Sequence, residues 1–469
     1  MKKFVKTIGI YFIGTVASKL ISFLLLPLYT SKILPENYGY FDLVVNSAMA
    51  VIVPVLCLEV WTGILRYVFD YQKESDKRMV IANGLFLCVG SFIVYGVGFT
   101  VFQTFIPLRY PWIIFLIGIF SMLHQVYSSA VRGLGKNTTF VISGIIGTTT
   151  NICSNLLLIL VFHMQLDALL ISYCLAQLTP IIFVEIRVGL LRKMRLKQFN
   201  PTLFKSLVIY CLPLSLNSVG YYMINGFNRV VIAQKLGEAA NGVFGIAAKF
   251  PMLVSLVVSV FNLAWQEMSY SKGNDDDRVE YYSHVLKFYN RFIGSGTLLL
   301  IPVTFIIFPY LIHGDYGSAR DLLPVYYLAT FFSTLSSFLG NIFCAEKRTN
   351  FIFISATISA VVSVALLYTL MPLIGLHAAT ISLAVSFLVN DVMRLIILRR
   401  NFKFRIDLIF FLSYIPLFAV TALIYHKGNI WMNLGWAVIL TVYVIYMMRD
   451  LLIPLLKKGM GMAKKFMHR

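Results

Sequence analysis

The sequence predicts an all-α polytopic membrane protein with about fourteen transmembrane helices. Of its 469 residues, 59% are hydrophobic and only 13% are charged, with a mean hydropathy of +0.80, whereas soluble globular chains carry about 25% charged residues. Apolar runs long enough to cross a bilayer recur about fourteen times between short loops. The runs are continuous rather than alternating with a period of two, which argues against a β-barrel.

Each predicted helix is an apolar run bounded by charged or turn-forming residues, with boundaries good to about 2–4 residues. The first run follows Lys2, Lys3 and Lys6 and is longer than the roughly 7–15-residue core of a signal peptide, so we expect an uncleaved first helix. Numbered 1–14 in chain order, the predicted helices are 7–29, 39–63, 80–104, 111–131, 139–161, 167–187, 205–230, 242–267, 289–311, 321–345, 351–372, 377–398, 408–426 and 431–450.

The loops predict the orientation of these helices. About 32 of the 40 Lys and Arg residues fall in one alternate set of loops, and about six fall in the other set. The positive-inside rule then places both termini in the cytoplasm. The same loops are suited to contact anionic lipids. Because the net charge of +20 is divided among alternate loops, it does not indicate a nucleic-acid partner.

Short patterns return at nearly one offset along the chain. The run Gly39-Tyr40-Phe41 returns as Gly242-Val243-Phe244, 203 positions later, and two further patterns return at offsets of 210 and 211. Both copies begin and end at equivalent helices, which predicts two parallel six-helix lobes, an architecture of transporters with substrate sites between the lobes. The predicted domains are residues 1–200 (helices 1–6), 201–400 (helices 7–12), and 401–469 (helices 13–14 with a basic cytoplasmic tail).

Two segments carry a family resemblance. The segment "SKLISFLLLPLYTSKILPENYGYFDL" and the later segment "LPLSLNSVGYYMINGFNRVVIAQKLGEAANGVFGIAAKF" resemble the two signatures of polysaccharide biosynthesis proteins. These are the O-antigen and capsule repeat-unit flippases of the multidrug/oligosaccharidyl-lipid/polysaccharide exporter superfamily, which have a MATE-like fold. The chain departs from the family's acidic-Arg pair at Asn228, before Arg229, and from its tyrosine at Phe244.

The resemblance implies a non-enzymatic, multi-pass flippase of the bacterial inner membrane. Its cargo would be an oligosaccharide repeat unit of O-antigen, lipopolysaccharide, capsule or exopolysaccharide linked to undecaprenyl pyrophosphate, moved from the cytoplasmic to the outer leaflet by alternating access. It implies no cofactor, with H⁺ or Na⁺ coupling left open. The implied partners are the lipid-linked glycan, the bilayer, a polysaccharide polymerase and a chain-length regulator. About fourteen helices favour lipid-linked cargo over the twelve-helix drug exporters.

Charged residues inside predicted spans are the first candidate site residues, because each costs about 2.5–3.5 kcal/mol to insert. Lys19, Arg229 and Lys249 lie on predicted helices 1, 7 and 8, which face the central cavity in the family. Arg offers planar bidentate contacts to phosphate and Lys a mobile charge, so these three are the predicted pyrophosphate-binding residues. The alternatives are snorkelling, or an intramembrane ion pair such as Lys19 with Glu59.

Acidic and amide residues complete the prediction. Glu59, Asp42 and Asp391 are candidates for ion coupling, although Asp391 lies three residues before Arg394, where a local helical pair is an alternative. Buried amides can bond sugar hydroxyls or bridge helices. The candidates for sugar binding are Asn217, Asn225 and Asn228 on predicted helix 7 and Asn151 on predicted helix 5.

Three alternatives remain at this point. The chain could be a flippase for lipid II-type or teichoic-acid precursors, or a MATE-like drug or cation exporter, whose cavity should be acidic. It could also be a membrane polymerase or ligase, but those enzymes need a large outer loop that this sequence lacks. The six cysteines have no metal-site spacing, and no nucleotide-binding GxxxxGK[ST] motif occurs.

Overall fold

The computed structural model describes residues 23, 25–272, 277–346, 348–402, 404 and 407–467. Apart from two short 3₁₀ turns and two π-helical segments, the regular structure of these residues is α-helical, which confirms the predicted all-α polytopic fold. Seventeen α-helices are labelled here in chain order. They are α1 (Leu26–Lys32), α2 (Pro35–Asp42), α3 (Met49–Leu56), α4 (Val60–Val68), α5 (Glu74–Phe105), α6 (Pro111–Gly133), α7 (Asn137–Leu156), α8 (Leu166–Val188), α9 (Pro201–Asn225), α10 (Phe227–Leu236), α11 (Glu238–Lys272), α12 (Arg278–Leu311), α13 (Ala319–Ala345), α14 (Thr349–Ile374), α15 (His377–Phe402), α16 (Leu408–Lys427) and α17 (Ile430–Met467).

Thirteen helical spans among the described residues are long and apolar enough to cross a membrane. They match predicted helices 2–14 one for one. Predicted helix 1, at 7–29, lies mostly outside the described residues, and α1 overlaps only its last four positions. Many spans keep large apolar side chains on their surface, as at Trp112, Ile186 and Leu412, and this is expected where the solvent is lipid rather than water.

The chain divides into two compact units, Met1–Gly245 and Ile246–Arg469. The boundary falls inside α11, so the first residues of that helix belong to the first unit. The lobe boundaries predicted from the repeats, at 200 and 400, stay a prediction.

In the first unit, predicted helix 2 is a chain of short segments rather than one rod. A π-helical segment, Leu43–Ala48, joins α2 to α3, and α3 ends at a turn in which Leu58 and Glu59 have φ of 50° and 49°. Left-handed conformations cost about 1–2 kcal/mol per non-glycine residue. The Leu56 carbonyl at this break accepts a 2.8 Å hydrogen bond from Ser91 Oγ of α5, which satisfies a backbone group that the broken helix cannot.

In the second unit, helices α16 and α17 are fastened to the rest. Asp407, at the start of α16, pairs with Arg291 of α12 at 2.9 Å, and near its other end the Tyr425 hydroxyl donates to the Arg320 carbonyl at 3.1 Å. Helix α17 is held to α16 by a 2.9 Å bond from Trp436 Nε1 to Thr421 Oγ1. The last two predicted helices are therefore an integral part of the second unit.

Candidate functional site

A buried ion pair joins predicted helices 2 and 7 in the first unit. Arg229 Nε of α10 donates to Asp42 Oδ2 of α2 at 2.6 Å, and the two side chains are only 12% and 1% exposed. Asn46 donates to the other Asp42 oxygen at 2.6 Å, and Arg229 Nη1 donates to the Asn225 carbonyl at 3.1 Å. Because each charge is hydrogen-bonded and paired, the cost of removing both from water is offset.

Irregular backbone brings the two helices together beside this pair. Predicted helix 7 breaks at Gly226, between α9 and α10, directly opposite the π-helical segment of predicted helix 2. Ser47 Oγ of that segment donates to the Gly226 carbonyl at 3.1 Å and lies 3.0 Å from the Tyr222 hydroxyl. π-helical turns are rare and are frequent at functional sites, which makes this junction the first candidate site.

The repeated glycines that the sequence singled out meet face to face. A Cβ atom at Gly39 of α2 would lie 1.7 Å from the Glu238 carbonyl oxygen, and one at Gly242 of α11 would lie 2.0 Å from the Pro35 carbonyl oxygen. Asn241 adds a 2.7 Å bond from its amide to the Gly39 carbonyl. The contact is reciprocal, because Gly242 and Glu238 each lie 203 positions after Gly39 and Pro35. Only glycine permits so close an approach of two helix backbones.

A cation that sequence reasoning missed clamps the same two helix ends. Arg109 Nη2 lies 3.0 Å from Glu36 Oε1 of α2 and 3.0 Å from Glu238 Oε2 of α11. Its guanidinium also lies over the Tyr40 ring, 5.2 Å from the centroid. Arg109 lies in a five-residue connection outside the predicted spans. Cations are common in such loops, so the sequence around Arg109 did not indicate a special role.

The next residue, Tyr110, ties the same connection to α8. Its hydroxyl donates to Asp167 Oδ1 at 3.0 Å, and this hydrogen bond raises the pKa of Tyr110 above its usual range. Two adjacent residues therefore anchor the C-terminal end of this connection.

Glu59 contacts predicted helix 7 at a separate position. Its carboxylate accepts a short hydrogen bond from Ser218 Oγ of α9. The sequence suggested Lys19 as an alternative partner, and Lys19 lies outside the described residues. The left-handed backbone at Glu59 directs a carboxylate from the break in predicted helix 2 onto α9.

The amide candidates divide into two groups. Asn225 and Asn228 flank the ion pair, and both amide atoms of the buried Asn228 have no hydrogen-bond partner within the described part of the chain. Asn151 lies on α7, where it accepts from Asn155 one turn away at 2.7 Å and 3.2 Å. Asn217 lies on α9, but its side chain is not described.

Two other candidates lie in the second unit. Lys249 is half-buried on α11 and makes polar or electrostatic contacts. Asp391, on α15, is 2% exposed, and neither of its carboxylate oxygens has a hydrogen-bond partner among the described residues. Arg394, three residues further along α15, donates to Ser355 Oγ at 2.9 Å and to the Ser336 carbonyl, and its local pairing with Asp391 stays a prediction.

Within the first unit, Asp42, Arg229, Asn225 and Asn228 come together, Glu59 contacts α9 at Ser218, and Asn151 bonds Asn155 within α7. Lys249 and Asp391 belong to the second unit. No group of three or more His, Cys, Asp or Glu side chains suited to a metal occurs in the described residues. The paired charges and the close glycine contact can hold the ends of α2 and α11 together reversibly. An anion that binds Arg more strongly than a carboxylate does could compete with Asp42 for Arg229.

Comparison with known proteins places this arrangement in a structural context. No protein-family model matches the chain. A curated relative, "Lsg locus putative protein 1" of Haemophilus influenzae, is 23% identical over 260 residues, which is 54% of this chain and 63% of that protein. The match thus spans less than two thirds of the relative's length.

Solved structures match over far more of the chain. The lipid II flippase MurJ, in an inward closed conformation, superimposes with a TM-score of 0.70 at 16% identity, covering 94% of this chain and 99% of that one. An inward-facing multidrug resistance MATE transporter of the MOP superfamily gives 0.65 at 14% identity, covering 87% and 94%. The chain therefore has the helical fold of the lipid II flippase MurJ and of the MATE transporters of the MOP superfamily.

Proposed function

We propose that this protein is a flippase that moves a polyprenyl-pyrophosphate-linked oligosaccharide from the cytoplasmic to the outer leaflet of a bacterial inner membrane. The observation that carries the proposal is the similarity to the lipid II flippase MurJ, which extends over 94% of this chain and 99% of the other. The MATE transporter shares less of the chain at a lower TM-score.

The cations inside the spans support an anionic cargo. A diphosphate carries charge that cannot cross hydrocarbon without compensation, and Lys19, Arg229 and Lys249 lie within predicted membrane helices. Arg229 is held by Asp42, so we propose that a diphosphate engages Arg229 by competing with that carboxylate. We propose that the neighbouring Asn225, which is exposed, and Asn228, whose amide has no hydrogen-bond partner among the described residues, bond the first sugar.

The junction of α2 and α11 supports alternating access. On the predicted orientation these helix ends face the outside, and the glycine contact together with the Arg109 clamp holds them closed. Release of cargo to the outer leaflet requires these contacts to separate. Each is a backbone approach or a partly exposed ion pair, and such contacts can open at modest cost.

Helices α16 and α17 support a lipid-linked cargo. Polar contacts fasten α16 to α12 and α13 and hold α17 to α16, yet α17 keeps apolar side chains such as Trp431, Val438 and Val442 at 74%, 61% and 63% exposure. We propose that this apolar surface accommodates the polyprenyl chain.

Ion coupling and partners complete the proposal. The candidates for ion coupling are Glu59, Asp42 and Asp391, and the coupling ion is H⁺ or Na⁺. A polymerase and a chain-length regulator are the proposed partners.

The cation proposal is tested by export in a strain that lacks the chromosomal gene. Lys249→Ala and Lys19→Ala each abolish surface polysaccharide at normal protein abundance, as judged by glycan staining and immunoblotting. Lys235→Ala is the matched control, because Lys235 is an exposed cation at the end of α10. Wild-type export by both intramembrane variants would remove the proposed role of the cations.

A further inference from the structure

The two copies of the predicted repeat turn their corners differently in the first unit. The first corner, residues 33–35, joins α1 to α2, and the second corner, residues 236–238, joins α10 to α11. The two corners occupy equivalent positions, because each residue of the second lies 203 positions after one of the first. They lead into the two helix starts that meet at the glycine contact. A difference between the corners therefore decides which side of that contact can move.

The first corner is confined to one conformation. Leu34 precedes Pro35, which restricts Leu34 to extended backbone, and Leu34 has φ of −69° and ψ of 144°. The side-chain amide of Gln165 binds two backbone groups of this corner. Its Nε2 donates to the Lys32 carbonyl at 2.7 Å, and its Oε1 accepts from the Leu34 N–H at 3.1 Å and from Asn37 Nδ2 at 3.4 Å. One amide thus ties the start of α2 to the loop before α8.

The loop that carries Gln165 holds strained backbone. His163, two residues earlier, has φ of 53°, which is disfavoured for a residue with a Cβ atom, and such strain is found preferentially at functional sites. A second loop also holds α2, because the Tyr40 hydroxyl accepts from the Arg109 N–H at 3.0 Å. The start of α2 is therefore attached to two loops of the first unit.

The second corner has glycine where the first has restraints. Its central residue is Gly237, with φ of 90° and ψ of 168°, a region that essentially only glycine occupies, and Glu238 stands in place of the proline. A Cβ atom at Gly237 would meet no described atom within 4 Å. The position equivalent to Gln165, 210 residues later, is Gly375, which has no side chain to bind a corner. Because glycine also adopts the ordinary backbone regions, the chain can change direction at Gly237.

Different contacts hold the two sides of Gly237. On the α10 side, Arg229 is paired with the buried Asp42. On the α11 side, the Asn241 amide bonds the Gly39 carbonyl beside the glycine contact. A swing of α11 at Gly237 separates the second set of contacts and leaves the Asp42 pair intact.

We propose that Gln165 is a positioning residue that keeps α2 fixed, and that the contact between α2 and α11 opens by a swing of the start of α11 about Gly237. The inference rests on the proposed flippase function, because release of cargo requires this contact to open. Hinges are a few residues in loops or at the ends of helices that absorb a large change in φ and ψ, and Gly237 ends α10 in a conformation of this kind.

The hinge is tested by thiol labelling of the purified full-length protein, without transport. Asn241 is 0% exposed, so an Asn241→Cys thiol reacts with a polar maleimide only when α11 separates from α2. Gly237→Ala places a Cβ at positive φ and disfavours the closed conformation by a factor of about 5–30, so the labelling rate should rise by that factor. Gly135→Ala is the matched control, because Gly135 also has a positive φ, of 73°, and open space around it, but lies in a predicted cytoplasmic loop. An unchanged rate in Gly237→Ala, or an equal rise in both variants, would overturn the hinge.

Two cysteine pairs test which side of the contact stays fixed. The first pair, Asn37→Cys/Gln165→Cys, replaces the amide contact by a covalent bridge. The second pair, Glu36→Cys/Glu238→Cys, bridges α2 to α11 across Arg109. Each pair is closed by a short bis-methanethiosulfonate and reopened by a reductant, and export is measured in the strain that lacks the chromosomal gene.

The two pairs should respond in opposite ways to the bridging reagent. Without a bridge, the first pair lacks the amide and should export about fivefold less than wild type, the effect of one net hydrogen bond, and bridging should restore export. Bridging the second pair should abolish export until the reductant is added. The four single-cysteine variants, treated with the same reagent, control for modification of native thiols.

The outcomes separate the hinge from the proposed function. If bridging the first pair blocks export, α2 leaves the loop before α8 during transport, and if export survives bridging of the second pair, the contact never opens; either result overturns the inference. If the wild-type gene restores no export, the proposed flippase function fails, while the labelling rates still decide the hinge. If Gly237→Ala does not fold, the two cysteine pairs decide.

Discussion

Removal of the Asp42 charge tests whether the buried pair holds predicted helices 2 and 7 together. Asp42→Asn keeps the shape of the side chain but leaves Arg229, at 12% exposure, without its counter-ion. Breaking a buried ion pair in this way costs about 3–5 kcal/mol. Arg229 retains the Asn225 carbonyl and a Phe244 ring 5.7 Å from its guanidinium carbon, so we expect a value at the lower end, about 3 kcal/mol.

The assay is thermal unfolding of detergent-purified protein, followed by intrinsic fluorescence. For a cooperative unit of about 150–250 residues, each kcal/mol shifts Tm by about 2–4 °C, so Asp42→Asn should lower Tm by about 6–12 °C. The double variant Asp42→Asn/Arg229→Gln removes both charges and should recover most of this loss, because no buried charge is left alone. Glu36→Gln is the control, since Glu36 is 57% exposed in its pair with Arg109 and should change stability by less than about 1 kcal/mol.

Two results would refute this reasoning. A Tm within about 2 °C of wild type for Asp42→Asn would mean that the pair does not stabilise the first unit. If the loss of stability in the double variant equals the sum of the losses in Asp42→Asn alone and Arg229→Gln alone, the two charges act independently. Export adds a second readout: the double variant should be stable but inactive if Arg229 engages the diphosphate.

Three further predictions concern the same unit. Gly242→Ala forces a Cβ to within 2.0 Å of the Pro35 carbonyl oxygen and should lower the free energy of unfolding by about 1–3 kcal/mol. The control Gly220→Ala, where the added Cβ meets open space, should not destabilise the protein. Equal Tm values for the two variants would contradict the glycine contact. Arg109→Gln should lower the free energy of unfolding by at most about 1 kcal/mol, and the stability difference from wild type should shrink in high salt. A difference that does not change with salt would argue against an ionic contact at Arg109. Glu59→Gln should keep its bond from Ser218 and its stability while losing export, and full export would exclude Glu59 from coupling.

The sequence predicted the spanning helices well because length and hydropathy decide them. Thirteen spans appear where predicted helices 2–14 were placed, since each must satisfy its own backbone in lipid. The interruptions of predicted helix 2 were not predicted. Pro54 is a visible breaker, but the left-handed conformations of Leu58 and Glu59 have no sequence signature, because neither residue favours them.

The candidate site was predicted only in its components. Asp42 and Arg229 stood out as charges within apolar sequence, yet their partnership spans 187 positions and depends on tertiary packing. Gly39 and Gly242 stood out as repeat equivalents, but a repeat does not say that its two copies touch. Arg109 was missed because its role comes from the helix ends that happen to lie beside its loop.

The leaflet distribution of lipid-linked oligosaccharide tests the central claim most directly. A strain lacking this gene is compared with the same strain carrying the wild-type gene, and the lipid-linked oligosaccharide on each face is measured with a membrane-impermeant glycosidase. We predict that the oligosaccharide accumulates on the cytoplasmic face without the gene and returns to the outer face with it. An unchanged distribution, with normal surface polysaccharide in the deletion strain, would contradict the proposed flippase.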